Sequence, residues 1–125
     1  MGYPTDRKYT KEHEWVKLIN DTTAEIGITE HAAGELGDIV YIDVETIDEE
    51  LDKDAEFGSI EAVKTVAELF MPVAGTVLEV NSKLEDEPEL INADAHSAWI
   101  VKIRFNHKSE YEDLMDAEDY EAEIS

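Results

Sequence analysis

Lys64 stands between two runs that alternate apolar and polar side chains, with Glu61 three residues before it, Glu68 four after it, and Pro72 and Gly75 beyond. By itself such a lysine reads as an exposed strand-end cation kept for solubility; chemically it is a primary amine held at an apex, where it can be acylated. There is no cysteine, so no thiolate nucleophile, disulfide framework or cysteine-based zinc site exists, and any thiol chemistry must come from a cofactor. The four histidines, His13, His31, His96 and His107, show no spacing of a known ligand motif, and His13-Glu14 lacks the second histidine of a zinc-protease helix, so no metal site is expected. Asp52, Asp54 and Glu56 imitate the start of a calcium loop, but Phe57 takes the place of its turn glycine and Val63 that of its bidentate glutamate. No glycine-rich phosphate loop and no Ser-His-Asp order occurs, so the chain is read as having no catalytic residues of its own.

The elements that must position Lys64 are two strands. Before it Gly58, Ile60 and Ala62 share one face and Ser59 and Glu61 the other; after it Val66 and Phe70 oppose Ala67, Leu69 and Met71. Period-two alternation on both sides predicts a hairpin with a tight connection, although Val63-Lys64-Thr65 holds none of the usual turn residues. Upstream, His13 to Ile19 and Thr23 to Ile28 read as a hairpin turning at Asn20-Asp21, and Thr29 caps a short helix that stops at Gly37. Asp38 to Val44 carries apolar groups on both faces and is expected to be a central strand. Glu45 to Glu56, with seven acids, is expected to be an exposed excursion with room for one helical turn. Gly75 to Val80 returns as a strand with Thr76, Leu78 and Val80 on one side. Lys83 to His96 is read as a long acidic connection anchored by Leu84, Pro88, Leu90 and Ile91. Trp99, Val101, Ile103 and Phe105 alternate most cleanly of all. Ser109-Glu110-Tyr111-Glu112 reads as a capping box opening a terminal helix, with Asp116 capping a further short one that packs Tyr120 and Ile124.

A chain of 125 residues with 42% hydrophobic content suits a single domain spanning 1–125, and no run approaches the roughly 20 apolar residues of a membrane span. Thirty-two acidic against ten basic residues give a formal charge of −22, which repels nucleic-acid phosphates and anionic lipid. Nucleic acid and membrane are therefore excluded as ligands, while basic protein surfaces are favoured. The same charge suits either partner steering or a salty host. The first residues contain no apolar export core, which gives the expectation of a cytoplasmic protein, or a mitochondrial-matrix one after trimming of a transit peptide.

Glu61-Ala62-Val63-Lys64-Thr65, with Glu68, Pro72 and Gly75, resembles the lipoyl-attachment signature of the glycine cleavage system H-protein family. The resemblance extends through Tyr9-Thr10, His13-Glu14-Trp15, Gly27-Ile28-Thr29, Leu36-Gly37-Asp38-Ile39-Val40-Tyr41, Glu79-Val80-Asn81, Pro88-Glu89-Leu90-Ile91-Asn92, Leu114-Met115 and Tyr120, in order along almost the whole chain. A biotin carrier shares the hairpin logic, but its lysine usually lies between two methionines, not between Val63 and Thr65. The sequence departs from the family where Val44 to Asp48 lacks its Leu-Pro segment and closing glycine, where Ala98 replaces a glycine, and in Ala93-Asp94-Ala95-His96, which lacks a proline.

The resemblance implies a mainly β fold, a flattened barrel-sandwich hybrid of the lipoyl/biotinyl-domain type with small added helices including a C-terminal one. It implies lipoate amide-linked to Lys64, with Glu61 and Gly75 belonging to the modification pattern. It implies a monomeric, non-catalytic carrier with four kinds of partner: the pyridoxal-phosphate glycine decarboxylase (P-protein), the tetrahydrofolate-dependent aminomethyltransferase (T-protein), dihydrolipoyl dehydrogenase (L-protein), and a lipoate ligase or lipoyl/octanoyl transferase. It also implies that the loaded arm docks against the protein, Glu14 and Glu68 being the acidic positions that match. Glu35 stands where the family often has a second histidine. An H-like paralogue acting in lipoyl relay, or as an interaction protein, is the alternative.

Overall fold

Asn20, Thr29, Gly37 and Asp116 act where the sequence places them in a computed structural model that describes residues 3–124. After a two-residue β1 (Lys8–Tyr9), β2 (Glu14–Leu18) and β3 (Thr23–Ile28) form a hairpin. The Asn20 side chain closes it by accepting from the backbone N–H groups of Thr22 and Thr23, both at 2.9 Å. Thr29 then caps α1 (Glu30–Leu36): its hydroxyl accepts from the Ala32 N–H at 3.2 Å. Gly37 ends the helix at φ 79°, a conformation that glycine adopts without a Cβ penalty.

Next come β4 (Ile39–Asp43), β5 (Glu50–Leu51), β6 (Glu56–Ala62), β7 (Val66–Phe70) and β8 (Gly75–Val80). The short helices α2 (Ser82–Asp86) and α3 (Leu90–Ala93) precede β9 (Val101–Phe105), and α4 (Lys108–Glu112) and α5 (Ala117–Ile124) follow it. The strands form two antiparallel sheets, a six-stranded one in the order β1-β2-β3-β9-β8-β5 and a three-stranded one in the order β4-β6-β7. The expected mainly β sandwich is therefore present, as two separate sheets and not as one closed barrel. Val16, Ile26, Val77 and Ile103 from the larger sheet meet Ile42 and Ile60 from the smaller in one buried cluster. Each such side chain contributes about 1.5–3 kcal/mol through burial.

A second cluster stacks Tyr9 on Tyr120, ring centres 4.9 Å apart, beside Trp15 and Ala117. It clamps α5 onto the start of the chain. The Asp116 side chain accepts from the Asp119 N–H at 2.9 Å, so Asp116 caps α5 as its sequence suggests. The Trp15 indole donates to the Ala95 carbonyl at 3.1 Å, and the Arg7 guanidinium lies over the Trp15 ring and donates to the His96 carbonyl. The loop where Ala95 and Ala98 stand is thus packed down onto β2, with both alanines buried.

Several local expectations are corrected. β4 is an edge strand, not a central one; a bulge between Ile39 and Tyr41 leaves Val40 and Tyr41 exposed. The acidic excursion contains no helical turn but lends β5 to the larger sheet, pairing Glu50 with Thr76. In β8 the inward residue is Val77, because the register shifts between Val77 and Glu79 and breaks the alternation read from Thr76, Leu78 and Val80. The acidic connection folds two helices, each burying one apolar residue, Leu84 and Ile91. Ser109 is inside α4, which begins at Lys108 with His107 as its uncapped N-cap, and the helix ends at Glu112, before Leu114.

Candidate functional site: the Lys64 hairpin and the Glu14 cleft

β6 and β7 are joined as the alternation predicts, with Glu61 opposite Val66 and the Ala62 N–H donating to the Thr65 carbonyl at 2.8 Å. Val63 and Lys64 occupy the connection. Neither has the positive φ that, among the described non-glycine residues, His13, Asp48 and Asp54 adopt. The turn therefore does without the left-handed residues that tight hairpins usually need. An outside anchor holds it instead, since the Val63 N–H donates to the Asp38 carbonyl at 2.9 Å. The lysine stem passes over Gly37: a Cβ built there would be in ordinary van der Waals contact with Lys64 Cε, at 3.7 Å.

Lys64 is exposed, and so are its neighbours Val63, at 70%, and Val66. Val40 and Tyr41 on β4 extend this apolar rim, since Tyr41 pairs with Glu61 and Glu61 with Val66. Paired residues of adjacent strands share a face, which places Glu61 between Tyr41 and Val66 on the outer surface. Glu68, opposite Ser59, is exposed on the same strand, two residues past Val66.

Glu14 lies deeper. It is only 2% exposed, and one carboxylate oxygen, Oε2, accepts from the Phe70 N–H at 2.8 Å. The other, Oε1, has no hydrogen-bond partner among the described residues. Burial pushes this carboxyl up to about 8, against the opposing Phe70 hydrogen bond and with smaller upward contributions from Glu12 and Asp54. Glu14 lines a cleft of about 340 Å³ together with Thr10, Lys53, Asp54, Phe70, Met71 and Leu114, among others. A buried carboxylate oxygen with no partner, on a side chain that lines a cleft, is a place for a hydrogen-bond donor, above all a cationic one.

The fold thus distributes the residues named from sequence. Glu61 and Lys64 share the hairpin tip. Glu68 is on β7, and from Lys64 to Phe70 at the far end of that strand the chain spans at most roughly 20 Å for six extended residues; Glu68 is not among the residues lining the Glu14 cleft. Gly75 is elsewhere. It opens β8 opposite Phe105, where any Cβ would collide with the Arg104 carbonyl oxygen. Its role in the structure is close backbone approach between β8 and β9. Sequence reasoning did not find the Phe70 N–H or the Met71 and Leu114 walls of the cleft.

Comparison with known proteins places this geometry. The family model described as glycine cleavage H-protein matches residues 7–125. The chain is 47% identical over 125 residues to the glycine cleavage system H protein of Staphylococcus carnosus, covering 99% of this chain and 98% of that one. It is 50% identical over 121 residues to the H protein of Staphylococcus saprophyticus, covering 96% and 95% of the two, and 48% identical over 121 residues to that of Koribacter versatilis, covering 97% and 93%. A crystal structure of the H protein from Mycobacterium marinum superposes with a TM-score of 0.88 at 29% identity, over 98% of each chain. With the Lys64 hairpin, the two-sheet sandwich and these relatives together, the chain belongs to the glycine cleavage H-protein family.

Proposed function

We propose that Lys64 carries lipoate as an amide and that the protein is the mobile carrier of the glycine cleavage system. In this reading it takes the aminomethyl group of glycine from the pyridoxal-phosphate decarboxylase to the tetrahydrofolate-dependent aminomethyltransferase and is then reoxidised by dihydrolipoyl dehydrogenase. When attached, lipoate supplies the dithiol–disulfide couple that accepts and releases that group. The chain's own residues present, recognise and shelter it. The observation that carries the reading is Lys64 itself: an exposed lysine at a hairpin tip that is anchored from outside by Asp38.

The rim of Val63, Val66 and Tyr41 with Glu61 among them supports docking of a modifying ligase or transferase, since apolar groups beside a charged residue suit a transient interface. The Glu14 cleft supports the shelter. An ammonium group brought to Oε1 finds an acceptor already stripped of water, and it shifts the carboxyl from its protonated form near pH 7 to the ionised one. Glu68, exposed on β7 between the tip and the cleft, is an approach residue in this scheme. Lys64 cannot span roughly 20 Å of strand unaided, so reaching Glu14 requires the added arm.

Reconstitution tests the assignment. Lipoylated protein should support exchange of the glycine carboxyl carbon with bicarbonate by the decarboxylase, and the Lys64→Arg variant should support none. Full exchange with Lys64→Arg would overturn it. A lipoylated wild type that is not loaded by the decarboxylase would point to a lipoyl-relay role instead.

A further inference from the structure

We propose that His13, His31 and Glu35 form a binding site for a divalent transition-metal ion of the zinc class. Sequence spacing gives no hint of it, since His13 ends the segment before β2 while His31 and Glu35 are on α1. The fold brings them together. One ligand atom from each lies within 4.8 Å of the others, and the two imidazole rings are 4.8 Å centre to centre at a 50° tilt. His31 and Glu35 share one helical face, with Nε2 to Oε2 at 3.5 Å.

His13 is built into position. It has φ 67°, unusual for a residue with a side chain, and is held there from both sides: its N–H donates to the Thr10 carbonyl at 3.1 Å and its carbonyl accepts from the Thr29 N–H at 3.0 Å. Its Nδ1 contacts the Tyr120 hydroxyl at 2.8 Å, and that hydroxyl contacts Thr29 Oγ1 at 2.8 Å. The tautomer in which Nδ1 donates to Tyr120 leaves the lone pair on Nε2, and in the proposed site Nε2 is the atom that coordinates. Metal-binding histidines are commonly fixed in this way through the ring nitrogen that does not bind the ion.

The donor set selects the ion. Two imidazoles and one carboxylate suit zinc, nickel or copper and give three protein ligands with further positions open, whereas magnesium and calcium prefer all-oxygen shells. Ligands about 2.0 Å from a tetrahedral ion are about 3.3 Å apart; His31 Nε2 and Glu35 Oε2, at 3.5 Å, are already close to that spacing, and the widest separation must close by about 1.5 Å at most. Glu35, with its side chain 66% exposed, and His31, at 29%, can make that movement by rotating on the surface of α1. A net charge of −22 draws cations to the molecule and so raises their local concentration.

That same charge makes unspecific cation binding the competing explanation, and the test is built to separate the two. Untagged full-length protein is titrated with Zn²⁺, and with Co²⁺ as an optical probe, in about 0.5 M NaCl and excess Mg²⁺, conditions that screen the acidic surface. One equivalent is expected to bind. The ring resonances of His13 and His31 should move while those of His96 and His107 stay, and the bound Co²⁺ should absorb in the visible. His31→Ala and Glu35→Gln, both changes at accessible helix positions, should keep the melting temperature without metal. Each should weaken binding about tenfold or more, the scale seen even for loss of an outer-shell partner. Unchanged affinity in His31→Ala, ready displacement by Mg²⁺, or equal shifts in all four histidines would each overturn the site.

Discussion

At the scale of single residues, Glu14 carries the sharpest consequences. Its folded-state value of about 8 lies above the 4.5 of an ordinary glutamate, so between those values the folded protein keeps a proton that the unfolded chain gives up. The stability from that proton is fully present below pH of about 4.5 and is lost as pH rises through about 8. Glu14→Gln retains the acceptor for the Phe70 N–H and removes the titration. Urea unfolding from pH of about 5 to 8.5 should therefore show wild type losing a few kcal/mol relative to the variant. A difference that does not change with pH contradicts the buried, titrating carboxyl. The same variant addresses the shelter: in loaded protein freed of decarboxylase, ammonia release at neutral pH should be several-fold faster than in wild type, and equal rates would remove Glu14 from that role. The sequence pointed to Glu14 through its resemblance, but not to its unpartnered oxygen. That property depends on Phe70 and on a cleft assembled from segments more than fifty residues apart.

At the scale of elements, strands with strict alternation were legible almost to the residue, β3 and β7 among them, because one face of each must be buried, whereas β8 was legible in its bounds but not past its bulge. The edge strand β4 misled for a physical reason. Apolar residues on both faces usually mean a strand covered twice, but Val40 and Tyr41 stay exposed beside the Lys64 hairpin, where the proposed function calls for a docking rim. The helices α2 and α3 were missed because five and four residues are too few to show a helical period. The His13, His31 and Glu35 cluster was invisible for another reason, since His13 reaches α1 only through the fold. Two changes test the hairpin and the sheet separately. Glu61→Ala, at an exposed strand position, should slow lipoylation several-fold while changing stability by under about 0.5 kcal/mol. Modification kinetics and a melting curve, both unchanged, would rule Glu61 out of recognition. Gly75→Ala should instead destabilise by about 3 kcal/mol, because its Cβ meets backbone that cannot move aside without parting β8 from β9. A Gly75→Ala protein that melts like wild type but resists lipoylation would reverse that assignment.

At the scale of the whole molecule, the charge of −22 is spread over a surface whose ten cationic side chains cannot neutralise it. Like charges crowd one another in the folded state, so stability should rise with salt; the melting temperature should climb by several degrees between about 10 mM and 0.5 M NaCl. A flat or falling curve would mean that the acids are not a net cost to folding. The carrier reading depends on the other feature of that surface, the lysine raised from it at the β6–β7 tip. Peptide mapping of protein incubated with lipoate ligase, lipoate and ATP tests that reading most directly. It should find one lipoyl group, on Lys64 alone, with none in the Lys64→Arg variant. Lipoate on Lys53 or Lys83, or undiminished modification of Lys64→Arg, would contradict it.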